Sequence, residues 1–571
     1  MTMLTKWGAA LDRSCPLPEY PRPQLRRESF YNLNGVWDYA VTPSGDEPGV
    51  WDGEIVVPFS PEAPLSGAAR GPTKDEYLHY RRGFTLPEGF QKSRVLLHFG
   101  AVDQIAEVFV NGVSAAKHSG GYWPFSADIT SLLREGENIL RVTVRDNADD
   151  PTFAYGKQRY KRGGMWYTAQ SGIWQTVWLE SVPEAYVKSL RITPEFDEAR
   201  VRIELETALE SSAAITCDVR AADGSFVAGS WAKGGVCVVP LPGFRAWTPD
   251  DPYLYTLDIS CGEDRVESYF AMRKFSYVEL GGHKVFGLNN VPLFHNGLLD
   301  QGYWPDGIFT APTDEALRYD IELAKRAGFN VIRKHIKVEP QRWYYYCDRL
   351  GLMVWQDMPN LWEPDGADSV AVRKQFRAEL KTMIDQHVNS PSIVMWVPFN
   401  ENWGAFEAPD ITDWVKRYDT HRLVNGMSGY NYAPGYRKAY GDPGNGDFVD
   451  MHHYGNIEPN AIAKPDDKRA ASLGEFGGKG LFVRGHMWPV RNDAYEMMIN
   501  RDVLTDTYVM MATELEQMVN YFGLSTAIYT QTTDVEHEIN GLVTYDRQVE
   551  KMNLDKVREI NTSVIEATRR K

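Results

Sequence analysis

Two glutamates in this 571-residue chain stand where an acid needs a reason. Glu401 closes the run Ser392-Ile393-Val394-Met395-Trp396-Val397-Pro398-Phe399-Asn400-Glu401, and Glu475 closes Ala470-Ala471-Ser472-Leu473-Gly474-Glu475 ahead of Phe476-Gly477-Gly478. Runs this apolar read as buried parallel strands, and a carboxylate at the end of one is costly unless paired or hydrogen-bonded. If the two runs are strands four and seven of a closed barrel, the acids face one cavity from opposite walls. Such a pair suits cleavage of a glycosidic bond. One carboxylic acid protonates the leaving oxygen, and one carboxylate works across the anomeric carbon; roughly 5 to 5.5 Å between them gives retention and roughly 6.5 to 9.5 Å inversion. The bland alternative for either acid alone is a helix cap or a surface position.

The elements that must position the pair fall into three stretches. From Phe30 to about Val182 short alternating runs dominate, such as Val95 to Phe99 and Ala106 to Val110, with the hairpin signal Asn111-Gly112 behind the second. Further strands at Ile139 to Val144 and Gln175 to Glu180 complete an antiparallel β jelly-roll sandwich, expected over residues 1–183. Residues 184–277 carry strands at Val187 to Ile192, Ala199 to Thr207, Ala214 to Arg220 and Leu254 to Ser260, which suits an immunoglobulin-like β-sandwich. From 278 to 571 eight apolar runs alternate with segments of helical period. The runs are Pro292 to Leu299, Asn330 to Ile336, Leu352 to Met358, Ser392 to Asn400, Arg422 to Ser428, Phe448 to His453, Ala470 to Glu475 and Thr526 to Thr532. Helices are expected at about Asp314 to Ala327, Pro340 to Arg349, Val370 to His387, Asp410 to Tyr418, Thr507 to Phe522 and Lys551 to Ala567, weakest in the fifth and sixth units. That pattern is a (β/α)8 TIM barrel.

Composition narrows the partners. With 43% apolar and 24% charged residues and a mean hydropathy of −0.41, the chain is globular and able to bury several cores. Sixty-one basic against 77 acidic residues leave a net charge of −16, so a nucleic-acid partner is not expected. No apolar run approaches about 20 residues, and Met1 to Pro23 lacks the apolar core of a secretory signal, so no membrane partner and a cytoplasmic location are expected. Five cysteines without paired spacing point to reduced thiols in or near cores, with neither a disulfide framework nor zinc. No cofactor or metal is called for. Seventeen tryptophans, 30 tyrosines and 24 phenylalanines lean toward a carbohydrate site, since flat rings pack against sugar faces.

The chain resembles glycoside hydrolase family 2, the group of β-galactosidases, β-glucuronidases and β-mannosidases, over nearly its whole length. The first stretch carries Leu33-Asn34-Gly35-Val36-Trp37, Tyr80-Arg81-Arg82-Gly83-Phe84, Gly120-Gly121-Tyr122-Trp123-Pro124-Phe125 and Ser171-Gly172-Ile173-Trp174, similar to the family's sugar-binding-type jelly roll. Trp247-Thr248-Pro249 and Met272-Arg273-Lys274-Phe275 resemble its immunoglobulin-like domain. In the barrel, Pro391 to Trp396 leading to Asn400-Glu401 matches the acid/base motif, and Gly474-Glu475-Phe476-Gly477-Gly478 the nucleophile motif. The resemblance implies a retaining, exo-acting β-glycosidase in which Glu475 attacks the anomeric carbon and Glu401 donates and then removes a proton. It implies that Asn400 bonds the 2-hydroxyl, that His335, Asp357, His453 and Tyr454 surround the pair, and that Tyr454 donates to Glu475. Trp304, Trp403 and Trp488 are candidate sugar platforms.

Departures from the family bear on the sugar. The Asn-x-Lys pair with which β-glucuronidases hold the sugar carboxylate is replaced by Glu538-Ile539-Asn540-Gly541, which lacks the lysine, and Lys479 is a substitute. Tyr529 stands where better-known members place a tryptophan, and Trp166 where they carry an acid. A β-galactoside-like substrate is the first expectation, with arabinosides, galactofuranosides and glucuronides as alternatives; self-association is left open. From another class, the chain could be a non-catalytic carbohydrate-binding protein. A metal-dependent hydrolase using His335, His452 and His453 is disfavoured because these lack carboxylates at clear ligand spacing.

Overall fold

The computed structural model describes residues 3–148, 150–209, 214–232, 234–361, 369–432, 441–466 and 468–570. Its first unit packs a six-stranded antiparallel sheet, in the order Gly53–Val57, Gly35–Thr42, Tyr77–Phe84, Asn138–Arg145, Ile105–Val110 and Val113–Ser119, on a four-stranded one. The second sheet contains Tyr31–Asn32, Val177–Val182, Arg94–Phe99 and Phe125–Asp128. Alternation decides what is inside: along Ile105–Val110 the residues Ala106, Val108 and Val110 are buried with Trp37, Tyr80 and Leu97, while Ile105 faces out. Asn111 and Gly112 take φ of 51° and 84°, so the Asn-Gly signal makes the tight hairpin it predicts.

Seven strands follow in two sheets, one of Val187–Glu195, Arg200–Thr207 and Val236–Pro240, the other of Phe226–Trp231, Ile215–Arg220, Tyr255–Cys261 and Asp264–Phe270. Val201, Ile203, Val219, Leu257 and the buried thiols of Cys217 and Cys237 fill the space between. All five cysteines are free; four are buried and Cys15 is exposed, away from any core.

The barrel strands are His295–Asp300, Val331–Lys334, Met353–Asp357, Ile393–Val397, Leu423–Val424, Phe448–His453, Ala470–Gly477 and Leu524–Thr530. They pair in parallel in the order five, four, three, two, one, eight, seven, six. The fifth strand is only two residues long, shorter than the expected Arg422 to Ser428. Its contact with the sixth runs through Asp447, whose amide donates to the Val424 carbonyl at 2.7 Å and whose carboxylate accepts from the Val424 amide at 2.6 Å. Among the described residues six helices, Asp314–Arg326, Gln341–Leu350, Val370–His387, Ala408–Tyr418, Arg501–Phe522 and Leu554–Glu566, lie outside. The first is opened by Thr313, which accepts from the Ala316 amide at 3.1 Å, and has Asp314 and Glu315 in its first turn and Lys325 and Arg326 in its last, as the helix dipole favours.

Three short strands, Phe275–Leu280, His283–Leu288 and Val291–Pro292, form a hairpin sheet whose Phe275, Phe286 and Leu288 pack with Leu293, Val331, Met353 and Trp355 and plug the end of the barrel where the strands begin. Chemistry is therefore left to the opposite end, where the strands finish. Among the described residues no helix is long and apolar enough to cross a membrane.

Candidate active site

The second barrel strand ends Val331-Ile332-Arg333-Lys334, and its fully buried Arg333 reaches across the barrel mouth. Its guanidinium donates to Asp357 at 2.8 Å, to Asn400 Oδ1 at 2.6 Å, to Glu475 Oε1 at 3.2 Å and to the Gly474 carbonyl at 3.0 Å. One planar fork thus ties the ends of strands two, three, four and seven. Two residues on, His335 Nδ1 lies 2.7 Å from Asp357 Oδ2.

Local backbone aims the two acids. After the fourth strand Glu401 and Asn402 take φ of 47° and 64°, a left-handed turn that non-glycine residues adopt only where contacts hold them. The Glu401 amide donates to the Ser428 carbonyl and the Trp403 amide to the Asn400 carbonyl, each at 2.8 Å. On the seventh strand the pairing register slips against both neighbours around Gly474-Glu475, a bulge that redirects Glu475. Position 474 must be glycine: a Cβ there would lie 2.3 Å from Asp450 Oδ2, whose partner oxygen accepts the Gly474 amide at 2.7 Å.

Between the acids sits His452. Its Nδ1 is 2.7 Å from Glu401 Oε1 and 3.6 Å from Glu475 Oε2, and its Nε2 is 2.9 Å from Ser428 Oγ, which donates to Asp450 at 2.8 Å. One ligand-type atom from each of Glu401, His452 and Glu475 lies within 4.8 Å of the others. Burial alone would lower the His452 pKa, but Glu475, Glu401 and Asp450 outweigh it and raise it above 6.5. Burial raises Glu401 above its ordinary 4.5 in spite of His452. For Glu475 burial also raises, but the charges of His452 and Arg333 and the hydroxyl of Tyr454 prevail and hold it below 4.5. Two carboxylates of one type thus sit side by side with opposite tendencies, one toward the acid and one toward the anion. Burial, with Lys157, Arg333 and His452 nearby, holds His335 well below 6.5, so its imidazole is neutral and the proton on Nδ1 goes to Asp357.

The same trio has ligand-like spacing, but its donors are taken. His452 Nδ1 lies 2.7 Å from Glu401 Oε1, and Arg333 and Tyr454 donate to Glu475. His335 bonds Asp357 rather than joining His452, so the three histidines considered for a metal form no common set.

Of the residues singled out in the sequence, Asn400, His335, Asp357 and Tyr454 do gather around the glutamates. Asn400 accepts from Arg333 through Oδ1, and its buried Nδ2 has no partner among the described residues. Tyr454 donates to Glu475 Oε2 and stacks on Tyr495 at 3.5 Å. Along the sixth strand Asp450 and His452 are buried and His453 is half-buried, and among the described residues His453 makes no hydrogen bond to either glutamate. Trp403 is buried against Tyr155 and Ile336, 5.6 Å from the His335 ring, and Trp166 packs in the same cluster beneath the Arg159 guanidinium, 4.3 Å away. Trp304 lies elsewhere, packed on Trp7 with Arg547 stacked 3.9 Å over it, and Trp488 rests on Tyr545. Tyr529 is a core residue between Phe476 and Tyr508, so close beneath Gly477 that a Cβ there would meet its ring at 2.2 Å. Sequence reasoning missed Arg333 and the place of His452. The available signal was a charge inside an apolar strand, Val331-Ile332-Arg333, and the alternation Asp450-x-His452.

A jelly-roll sandwich, an immunoglobulin-like sandwich and a TIM barrel with two facing glutamates define the architecture of a modular glycoside hydrolase. Comparison agrees: residues 62–183 match the description "Glycosyl hydrolases family 2, sugar binding domain", 185–273 "Glycosyl hydrolases family 2" and 284–440 "Glycosyl hydrolases family 2, TIM barrel domain". The chain belongs to glycoside hydrolase family 2. Relatives include a putative beta-glucuronidase of Formosa agariphila, 29% identical over 57% of this chain and 40% of that protein. A beta-galactosidase of Thermoanaerobacter pseudethanolicus is 26% identical over 57% and 44%. Human beta-glucuronidase is 24% identical over 67% and 64%. The chain thus spans less than two thirds of the length of these curated relatives. Among solved structures, a Bifidobacterium dentium beta-glucuronidase complexed with coumarin-3-O-glucuronide shares the fold at a TM-score of 0.75 and 19% identity, covering 94% of this chain and 98% of that one.

Proposed function

We propose that this protein is a retaining, exo-acting β-glycosidase with the domain division 1–183, 184–277 and 278–571. The observation that carries the reading is the pair itself: carboxylate oxygens of Glu401 and Glu475 within 4.8 Å, one acid pushed toward its protonated form and the other toward its anion. That spacing suits attack by a carboxylate rather than by an interposed water. Glu475, ionised beside Arg333 and Tyr454, attacks the anomeric carbon from one face; the bond to the leaving oxygen breaks as Glu401 passes it a proton. Glu401, now an anion, takes a proton from water, which attacks the glycosyl ester and frees Glu475 and the sugar. His452, bridging the two acids, follows this change of charge. The unpartnered Asn400 Nδ2 is poised to donate to a sugar hydroxyl, a contact that strengthens in the transition state. Exo action fits a barrel mouth on which Tyr155 and Trp166 of the first domain pack, against Ile336 and Trp403.

For the terminal sugar, a neutral β-galactoside-like group is the first reading, because Glu538 to Gly541 offers no lysine. The names of the relatives keep β-glucuronides as the second. The test is a panel of aryl β-galactosides, β-glucuronides, arabinosides and galactofuranosides with Glu475→Gln alongside. Turnover of at least one substrate, retained anomeric configuration, near-complete loss in the variant and activity in the presence of a chelator are expected. Wild-type turnover in Glu475→Gln would falsify the nucleophile assignment, and glycan binding without release from any substrate would favour the binding protein instead.

A further inference from the structure

The phenol that serves the nucleophile leans on a second ring. Tyr454 follows the last residue of the sixth strand, and its hydroxyl donates to Glu475 Oε2 from a loop position that is only half-buried. A tyrosine there turns about two side-chain bonds unless something braces its ring. Tyr495 supplies the brace. The two rings lie face to face, centroids 3.5 Å apart and planes 8° from parallel, although Tyr495 itself is 55% exposed. Tyr432 meets Tyr454 only edge-on, at 6.4 Å.

Two free rings prefer an offset or edge-on arrangement, so a face-to-face contact is one that the surrounding backbone imposes. That backbone is tied to the nucleophile's own strand. Beyond Glu475 the chain continues to Lys479–Gly480, which pairs in parallel with Glu496–Met497, and the Met498 amide donates to the Gly480 carbonyl at 2.8 Å. Lys479, the substitute suggested by the sequence, is held by Glu496 at 2.5 Å. On its other side the segment is fixed to residues after the eighth strand: the Asp493 amide donates to the His537 carbonyl at 2.8 Å and the Ile539 amide to the Asp493 carbonyl at 3.0 Å. Gly478, at φ 62°, makes room for the stack, since a Cβ there would run into the Tyr495 ring and lie 3.1 Å from Tyr454 Cδ1. Glu475, Gly478 and Tyr495 thus belong to one frame, and Tyr454 is laid against it from the sixth strand.

We propose that Tyr495 is a positioning residue for the nucleophile: stacked on Tyr454, it fixes the ring whose hydroxyl donates to Glu475. The inference rests on the glycosidase reading, since it concerns the group which that reading makes the nucleophile. Tyr495 acts through Tyr454 and takes no part in bond breaking. The other groups that bear on Glu475 are Arg333 at 3.2 Å with its partner Asp357, His452 at 3.6 Å with Asp450 behind it, Glu401 and the first-domain Lys157. None of them is carried by the segment that holds Tyr495.

Two measurements test it. The first is the structure of Tyr495→Ala, which needs no turnover. The Tyr454 ring is expected to leave its place and its hydroxyl to part from Glu475; a hydroxyl that stays on Glu475 overturns the proposal. The second is the pH profile of kcat/KM on an aryl glycoside that the full-length protein turns over. Tyr495→Ala is expected to lose roughly 10-fold and to carry the acid limb to higher pH, because the Tyr454 hydroxyl is one of the groups that keep Glu475 ionised. Tyr495→Phe, which keeps the ring, is expected to restore both. In a Tyr454→Phe background, where no hydroxyl remains to be placed, Tyr495→Ala is expected to cost at most about threefold more. Equal losses in the two backgrounds, or a loss that leaves the acid limb in place and grows with apolar leaving groups, would make Tyr495 a wall for the leaving group. Losses as large in Tyr495→Phe as in Tyr495→Ala would assign the effect to the Tyr495 hydroxyl. Either result overturns the proposal. Absence of turnover on every aryl glycoside, by contrast, would count against the glycosidase reading alone, and the variant structure would still decide the role of Tyr495.

Discussion

The functional weight at the residue scale lies in how differently two identical side chains are treated. Glu475 meets a guanidinium, a phenol and the His452 imidazole; among the described residues Glu401 hydrogen-bonds His452. A pH consequence follows from the directions of shift. Activity requires Glu475 ionised, and its pKa is lowered, so the acid limb of kcat/KM is expected below 4.5. It also requires a proton on the Glu401 side; the raised pKa of Glu401 places the alkaline limb above 4.5, and because His452 shares the hydrogen bond that limb belongs to the pair. Glu401→Ala is expected to erase the alkaline limb and to slow substrates with poor leaving groups far more than activated aryl ones, as single-substrate rates across a leaving-group series will show. Equal slowing along the series would remove Glu401 from the proton-transfer role. The two acids were legible in the sequence because each ends an apolar run. Arg333 was not, because nothing in Val331-Ile332-Arg333 tells which side chain crosses the barrel to an acid 142 positions later.

Among elements, the first-domain segment from Ala154 to Ser171 docks on the barrel, Tyr155 and Trp166 packing with Ile336 and Trp403 and Tyr167 and Thr168 bonding Glu538 and Glu536. Three carboxyls pin it, two of them buried and that of Glu62 half-buried. Glu379, on the helix Val370–His387, accepts from the Ala154 amide at 3.0 Å; Asp103 accepts from Gln158 at 3.0 Å; Glu62 accepts from Ser171 Oγ at 2.7 Å. Burial pushes Glu379 and Glu62 up to about 7 and Asp103 to about 6. Since these folded values exceed the ordinary 4.5 and 3.8, the folded state holds more protons, so stability is fullest below the ordinary values and declines as pH rises toward 7. For Glu379 alone the change is roughly 3 kcal/mol. Thermal unfolding of the wild type is therefore expected to shift downward between pH 5 and pH 8, and Glu379→Gln, which keeps an acceptor for Ala154, is expected to flatten that slope. Identical slopes in the two proteins would show that this carboxyl stays ionised. The strands and helices themselves were mostly readable from period. The exceptions were the fifth strand, cut to Leu423–Val424 because Asp447 takes over its edge, and Tyr529, which strand alternation places in the core.

For the molecule as a whole, the three units are tied by a few buried ionic knots. Arg27, its side chain 4% exposed, donates to Glu180 of the first sandwich at 3.1 Å and to Asp264 and the Val187 carbonyl of the second at 2.9 and 2.7 Å. Trp247 Nε1 then donates to the Asp348 carbonyl at 2.9 Å and Tyr269 to the Asp348 carboxyl at 2.7 Å, joining the second sandwich to the barrel. Arg27→Met leaves two buried acids short of a cation and is expected to lower the first unfolding transition by roughly 3 to 5 kcal/mol in denaturant titrations. Unchanged unfolding would show that Arg22, which also bonds Glu180 at 2.8 Å, suffices. By itself the amino-acid order determined the fold class and the two acids, since apolar period and strand ends are local properties written in consecutive residues. Only the tertiary structure decided which cations face those acids. A lone strand residue, Arg333, and the first of a histidine pair, His452, come to the acids through a bulge and a barrel closure, and each depends on contacts between residues far apart in the chain.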